Sequence, residues 1–160
     1  MKKYNDAAYL DMVATFHETF THPILHEPSI PSEARCQLRV NLLQEELNEL
    51  ATAIKEKDLV EIADALADLQ YVLSGAILEF GMANKFKTLF EEVQRSNMSK
   101  ACKDMDEIEE TKKWYAENRD INEFIVEQSN GVYILKRAED GKILKNCNYS
   151  PADIERILKN

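Results

Sequence analysis

The segment Leu59 to Phe80, LVEIADALADLQYVLSGAILEF, constrains the fold more than any other. Read at 3.6 residues per turn it is apolar nearly all round, the pattern of a helix buried on every side rather than one laid on a surface. Such a helix needs companions packed about it, so the expected class is all-α. Its charges are therefore conspicuous. Glu61, Asp64 and Asp68 fall within an arc of about 60°, and no Lys or Arg stands between Lys57 and Lys85 to pair with them. Buried, unpaired carboxylates cost several kcal/mol each, so something cationic must sit opposite.

The companions can be read on both sides. Ser32 is a fitting N-cap for a helix to about Lys57. On it Val40, Leu43, Leu47, Leu50 and Ile54 form the expected core stripe, and Gln37, Asn41, Gln44, Asn48, Thr52 and Lys55 a solvated arc. Glu45, Glu46 and Glu49 share a third arc with Leu38, Leu42 and Ala53, a mixture of acids and leucines that suggests a lined cavity. Asp58 caps the central helix, with Glu61 at N3 as in a capping box. Before this pair, Asp6 to Phe20 spaces Tyr9, Met12, Val13, Phe16 and Phe20 along one helical face. His17 on that helix is a pocket-lining candidate, and THPILHEPSIP, with three of the four prolines, is a loop. After Gly81, Ala83 to Arg95 forms a fourth helix with Phe86, Leu89, Phe90 and Val93 inward.

Residues 1–100 thus form a bundle of four main helices, and residues 101–160 an extension packed on it or on a neighbouring subunit. The extension starts with a charge-dense, marginal helix that has only Ile108, Trp114 and Tyr115 to bury. Strands are expected at Phe124 to Glu127, Val132 to Arg137 and Lys142 to Lys145, around Asn130-Gly131 and Asp140-Gly141. A last helix opens at Ser150-Pro151.

Composition removes several classes of function. A net charge of -9 argues against binding polymeric nucleic acid, which needs many Lys and Arg against phosphates. The N-terminus lacks the apolar core of a signal peptide, and Leu69 to Phe80 is too short to span a bilayer, so the expected setting is cytoplasmic, with no membrane partner. Cys36, Cys102 and Cys147 are odd in number and widely spaced, which supports neither a disulfide framework nor a zinc site; they read as reduced and structurally incidental.

Carboxylates from two helices aimed at one cavity suit hard divalent cations, which want oxygen ligands and complete their shell with water and substrate phosphate. Mg2+ is the expected ion, with Mn2+ as a substitute. A di-iron bundle would need Glu-x-x-His ligands, and the second to fourth helices contain no histidine. Such a site would polarise a phosphorus under attack and lower the pKa of bound water, with a spare carboxylate as base. Lys85, Lys87, Arg95, Lys100, Lys142 and Lys145 are candidates to hold departing phosphates.

These residues resemble the MazG-like, all-α NTP pyrophosphohydrolase superfamily, which includes phosphoribosyl-ATP pyrophosphohydrolase and dimeric dUTPases. The shared pattern, EExxE then ExxD, is Glu45-Glu46-Leu47-Asn48-Glu49, eleven residues, then Glu61-Ile62-Ala63-Asp64. DLVEIADALADLQYV, the run QRSNMSK and DGKILKNCNYSPADI are similar to one subgroup, so the likeness covers most of residues 5–100 and again 131–157. It implies magnesium ligation by Glu46, Glu49, Glu61 and Asp64, with Glu45 handling the attacking water and Asp68 completing the shell or touching substrate. It further implies that Arg95, Asn97 and Lys100, with Lys142 and Lys145, meet the phosphates, within one chain or in a neighbouring subunit. The implied reaction splits a nucleoside triphosphate between its α and β phosphates, in a homodimer or homotetramer that clears unwanted nucleotides. Phosphoribosyl-ATP hydrolysis in histidine biosynthesis and a non-catalytic, metal-binding helical interaction module are the alternatives. The insertion at about 103–130 departs from shorter members of the subgroup.

Overall fold

The computed structural model describes residues 8–159, so the expected helix start at Asp6 lies outside the described residues. The chain forms two compact units, Met1–Lys87 and Thr88–Asn160. The first contains α1 (Tyr9–Thr19), α2 (Glu33–Glu56) and α3 (Leu59–Glu79) and the start of α4 (Ala83–Met98); the second contains the rest of α4, then α5 (Met105–Arg119), β1 (Phe124–Ser129), β2 (Val132–Arg137) and α6 (Ile154–Lys159). The fold is the expected one, mostly helical with a small C-terminal hairpin. Among the described residues no helix is long and apolar enough to cross a membrane.

In the first unit α2 and α3 form a helical hairpin, and α1 packs against α3. The turn between them has no slack. Lys57 takes the left-handed conformation (φ 59°) and its N–H reaches Ile54 O at 3.2 Å, while Asp58 N reaches Ala53 O at 3.1 Å, closing α2 in a Schellman-type cap. Asp58 at once caps α3, accepting from Val60 N at 2.9 Å and Glu61 N at 3.2 Å. Glu61 makes no reciprocal bond among the described residues, so the expected capping box is half formed. Ser32 stands at the N-cap of α2, but its hydroxyl makes no cap bond; its carbonyl starts the helix instead, accepting from Arg35 N and Cys36 N. α3 ends as Gly81 suggests, in a second Schellman cap with Gly81 at φ 68°. A Cβ there would lie 1.9 Å from Glu27 O, so only glycine fits.

The face of α2 turned toward α3 is not the expected stripe. Arg39 and Ala53 are buried and Leu42 and Glu46 half-buried, whereas Val40, Leu47 and Ile54 are 59%, 50% and 56% exposed. The helix is rotated by roughly 80° from the expectation, at 100° per residue, which brings the arc of acids and leucines inward. α3 likewise is buried only at Ala65 and over residues 74–79; Leu59, Leu66 and Leu73 remain 77%, 52% and 40% exposed, so the helix is not buried on every side within one chain. The exposed residues recur every seventh position on each helix, roughly 100° from the mutual contact face. In an antiparallel pair both stripes then lie on the same side of the hairpin, and the acids on the other. On α4 Leu89 is buried and Phe86 half-buried, but Phe90 and Val93 are exposed rather than inward.

The second unit has its own core of Cys102, Ile108, Leu135 and Leu144, flanked by Tyr115, Phe124 and Tyr133. α5 is therefore more than a marginal helix: Asp104 caps it through Glu107 N at 2.9 Å, and Ile108 and Thr111 are fully buried. Cys102 is a core residue, not an incidental one, and all three cysteines are free thiols. β1 and β2 pair antiparallel with Ser129 opposite Val132, leaving Asn130 and Gly131 as a two-residue turn with positive φ at both. The third strand at Lys142 to Lys145 does not form; the returning chain makes a single bridge, Ile143 to Lys136. α6 starts at Ile154 rather than at Ser150-Pro151, because Asp153 supplies the cap, accepting from Arg156 N at 3.1 Å, and the Ser150 and Pro151 carbonyls are used elsewhere.

Candidate active site

All six acids belong to the α2–α3 hairpin. Glu46 is the inward member of the α2 group, half-buried, with Glu45 and Glu49 exposed on its flank; Glu61, Asp64 and Asp68 line the adjoining edge of α3. Burial pushes the Glu46 carboxyl above its ordinary value, and the charges of Glu49, Asp68, Glu45 and Asp64 push it the same way. Four of the other acids thus lie in electrostatic reach of Glu46. Glu61 meets Glu49 across an open hollow of about 380 Å³ that Asn48, Thr52, Ala53 and Glu56 also line. Among the described residues none of the six carboxylates makes a salt bridge or accepts a hydrogen bond.

Among the described residues no three His, Cys, Asp or Glu side chains converge closely enough to hold an ion as they stand. Like charges without a cation repel, and five of the six are exposed and free to swing apart. The donor set is nevertheless oxygen only, which suits a hard divalent ion and no soft one.

Toward the other end of the hairpin lies a second hollow of about 360 Å³, lined by residues of α1, α2 and α3 and by His22. His17, the pocket-lining candidate, and Leu38 and Leu42 of the mixed arc all line it, together with Phe16. Beside it sits a buried polar network not anticipated from sequence. Glu79, 1% exposed, takes ion pairs from both Arg35 and Arg39, including Arg35 Nε to Oε2 at 3.0 Å. Burial alone would raise the Glu79 carboxyl, but the hydrogen bonds and charges of Arg39 and Arg35 outweigh it and hold it below its ordinary value. Arg39 Nη2 also reaches His17 Nε2 at 3.2 Å, and His17 Nδ1 bonds Pro23 O at 2.9 Å. Burial lowers the His17 pKa, the Pro23 bond opposing it and the Arg39 charge assisting. The signal available in sequence was Glu79 itself, a lone acid near the end of an apolar helix, with Arg35 and Arg39 one turn apart on α2.

Arg95, Asn97, Lys100, Lys142 and Lys145 belong to the second unit. Arg95 is heavily engaged there: it forms a two-pronged pair with Glu92 at 2.8 Å, holding that carboxyl at about 2, and donates to Pro151 O at 3.0 Å. Lys100 donates to Asn97 Oδ1 at 2.8 Å, and Lys145 Nζ lies 4.3 Å above the Tyr149 ring. Lys142 keeps an exposed side chain. Ser96 and Ser99 bond Tyr149 and Ser150, so the two segments QRSNMSK and KNCNYSP brace each other.

The family model for phosphoribosyl-ATP pyrophosphohydrolase matches residues 13–97, a span holding α2, α3, all six acids and both pocket walls. The chain belongs to this family. It thereby falls within the MazG-like, all-α NTP pyrophosphohydrolase superfamily. The chain is also similar to an uncharacterized protein of Acanthamoeba polyphaga mimivirus, 33% identical over 92 residues, which cover 55% of this chain and 37% of that protein. It spans little more than a third of the length of that curated relative.

Proposed function

We propose that the chain is a divalent-metal-dependent nucleoside triphosphate pyrophosphohydrolase that clears surplus or non-standard nucleotides. The observation that carries this reading is the uncompensated carboxylate cluster on one side of the α2–α3 hairpin, within a few turns of a ring-lined pocket in the same unit. Glu46, Glu49, Glu61 and Asp64 would hold the ion, with Asp68 completing the shell. Mg2+ suits this oxygen-only set, and Mn2+ would substitute. When bound it neutralises phosphate charge and makes the phosphorus more open to attack. Glu45, exposed beside the cluster, takes a proton from water as the water oxygen bonds to the α-phosphorus; the bond from that phosphorus to the α–β bridging oxygen breaks, and pyrophosphate leaves. Asn97, Lys100, Lys142 and Lys145, with Arg95, would meet the phosphates, within one chain or in a neighbouring subunit.

The test is a panel of ribo- and deoxyribonucleoside triphosphates and phosphoribosyl-ATP, each with Mg2+ or Mn2+, resolved by chromatography. The expected products are monophosphate and pyrophosphate. Well-folded protein releasing pyrophosphate from none of them would refute the reading.

The heptad-spaced stripes Val40, Leu47, Ile54 and Leu59, Leu66, Leu73 support a homodimer, or a homotetramer built from it, because leucine-rich faces with this spacing pack helix on helix. Sedimentation equilibrium is expected to give an oligomer of this chain, and Leu66→Glu on the exposed stripe to shift it toward monomer. A wild-type protein that stays monomeric at high concentration would rule the assembly out.

A further inference from the structure

We infer that the pocket of Phe16, His17, Leu38, Arg39, Tyr71 and Gly75 receives the base of the nucleotide and selects bases that carry a carbonyl oxygen on the edge opposite the sugar. The inference rests on the nucleotide reading above and adds to it the class of substrate. The walls are built for a planar ring. Phe16 and His22 lie nearly parallel with centroids 5.8 Å apart, and Tyr71 meets Phe16 edge-on at 5.6 Å. The volume of about 360 Å³ is within the range of small-molecule sites. Direction follows from the sequence of lining residues. On α2 the pocket uses Leu38, Arg39 and Leu42, and Glu46 follows Leu42 by one turn, about 6 Å along the axis. A ring seated here points its sugar and phosphates toward the acids and its far edge toward Arg39 and Gly75.

Among the described residues, the polar capacity that His17 and Arg39 leave at that far edge consists only of donors. His17 is spent: with Nδ1–H donated to Pro23 O, its Nε2 lone pair is used by Arg39. Arg39 has five N–H bonds to offer, and among the described residues its hydrogen bonds all run through Nη2. Among the described residues its Nε–H is buried without a partner, and Nη1 lies against Gly75, 2.7 Å from where a Cβ would stand. Arg35 and Arg39 share the single carboxylate of Glu79, so with His17 neutral the group carries one excess positive charge. A ring carbonyl complements this edge. An amino group in the same place sets N–H against N–H, and an unsatisfied buried donor costs roughly 1–3 kcal/mol, about 5- to 150-fold in affinity. Uracil, thymine, guanine and hypoxanthine have the carbonyl; cytosine and adenine have the amino group.

Uridine and cytidine monophosphates differ at this edge only at C4, carbonyl against amino, and at the adjoining N3, which bears a hydrogen in uracil and a lone pair in cytosine, and are the sharpest probes. Titration calorimetry of the wild-type protein without metal, to millimolar ligand, is expected to give at least about tenfold tighter binding of the uridine form, and the same order for inosine over adenosine monophosphate. Equal or reversed affinities, or no binding by any of the four, overturn the inference. Tyr71→Ala, on a wall that is 38% exposed, should weaken binding of every ring while leaving the helical circular dichroism unchanged; undiminished binding places the base elsewhere. The two proposals separate cleanly. Triphosphates hydrolysed without regard to this edge sink the base assignment and spare the hydrolase, whereas carbonyl-selective binding without any pyrophosphate release does the reverse.

Discussion

Replacing Glu79 by Ala is expected to destabilise the first unit by about 3–5 kcal/mol, the usual result of stranding a buried charge by removing its partner. Here two guanidinium groups lose one shared carboxylate, and Arg39, itself 7% exposed, has nowhere to turn. Urea unfolding at neutral pH, followed by circular dichroism, measures it; a loss below about 1 kcal/mol would show that the network does not hold the α1–α2–α3 arrangement together. The same network sets an acid limit. His17 is held below its ordinary 6.5, so on acidification the unfolded chain takes up that proton first and stability falls as pH drops past 6.5. Glu79 is held below its ordinary 4.5, so its contribution is complete above that value and is lost as pH falls through the lowered one. Wild-type stability should therefore decline in two stages.

Glu46→Gln and Asp64→Asn are each expected to cut pyrophosphate release by about 10³-fold, equivalent to some 4 kcal/mol of lost transition-state stabilisation. Both should fold. For Glu46→Gln the metal-free protein should gain stability near neutral pH, because a carboxyl whose pKa is raised in the fold favours the protonated form and contributes a penalty once pH rises through that raised value. The gain over wild type should vanish near pH 4, where Glu46 is protonated in both states. Thermal melts at the two pH values with a parallel activity assay read both effects. Full activity in both variants would remove the assigned site.

The helices, the acid-bearing hairpin and the Asn130-Gly131 turn were legible because each has a local cause: periodicity, capping, or a backbone that must take positive φ. The inward face of α2 was not. Val40, Leu47 and Ile54 form the better hydrophobic stripe, and a stripe reserved for another surface has the same composition as one reserved for the chain's own core. Arg39 and Glu79 escaped for a related reason. They are buried by a pair 40 residues apart in sequence, and no window along the chain contains both. The third strand failed because the outer edge of β2 is shared: Ile143 bridges Lys136 there and Cys102 bridges Tyr133, which cuts a longer ladder short. Of the candidate site, residue types and spacing indicated the acids, while the partners that engage Arg95 became visible only when α4 was set beside Ser150 and Pro151.

The connection between the two acid groups has a consequence for how sequences of this kind can vary. Ordinary surface loops absorb insertions at small cost. Here Lys57 completes the end of α2 and Asp58 begins α3, so each residue of the connection is already part of a helix terminus. An added residue must undo one of the caps, and a deleted one must turn α3 by about 100° and carry Glu61, Asp64 and Asp68 off their side. The eleven residues between Glu49 and Glu61 act less as a linker than as a fixed gauge, and length at this point should prove harder to change than composition.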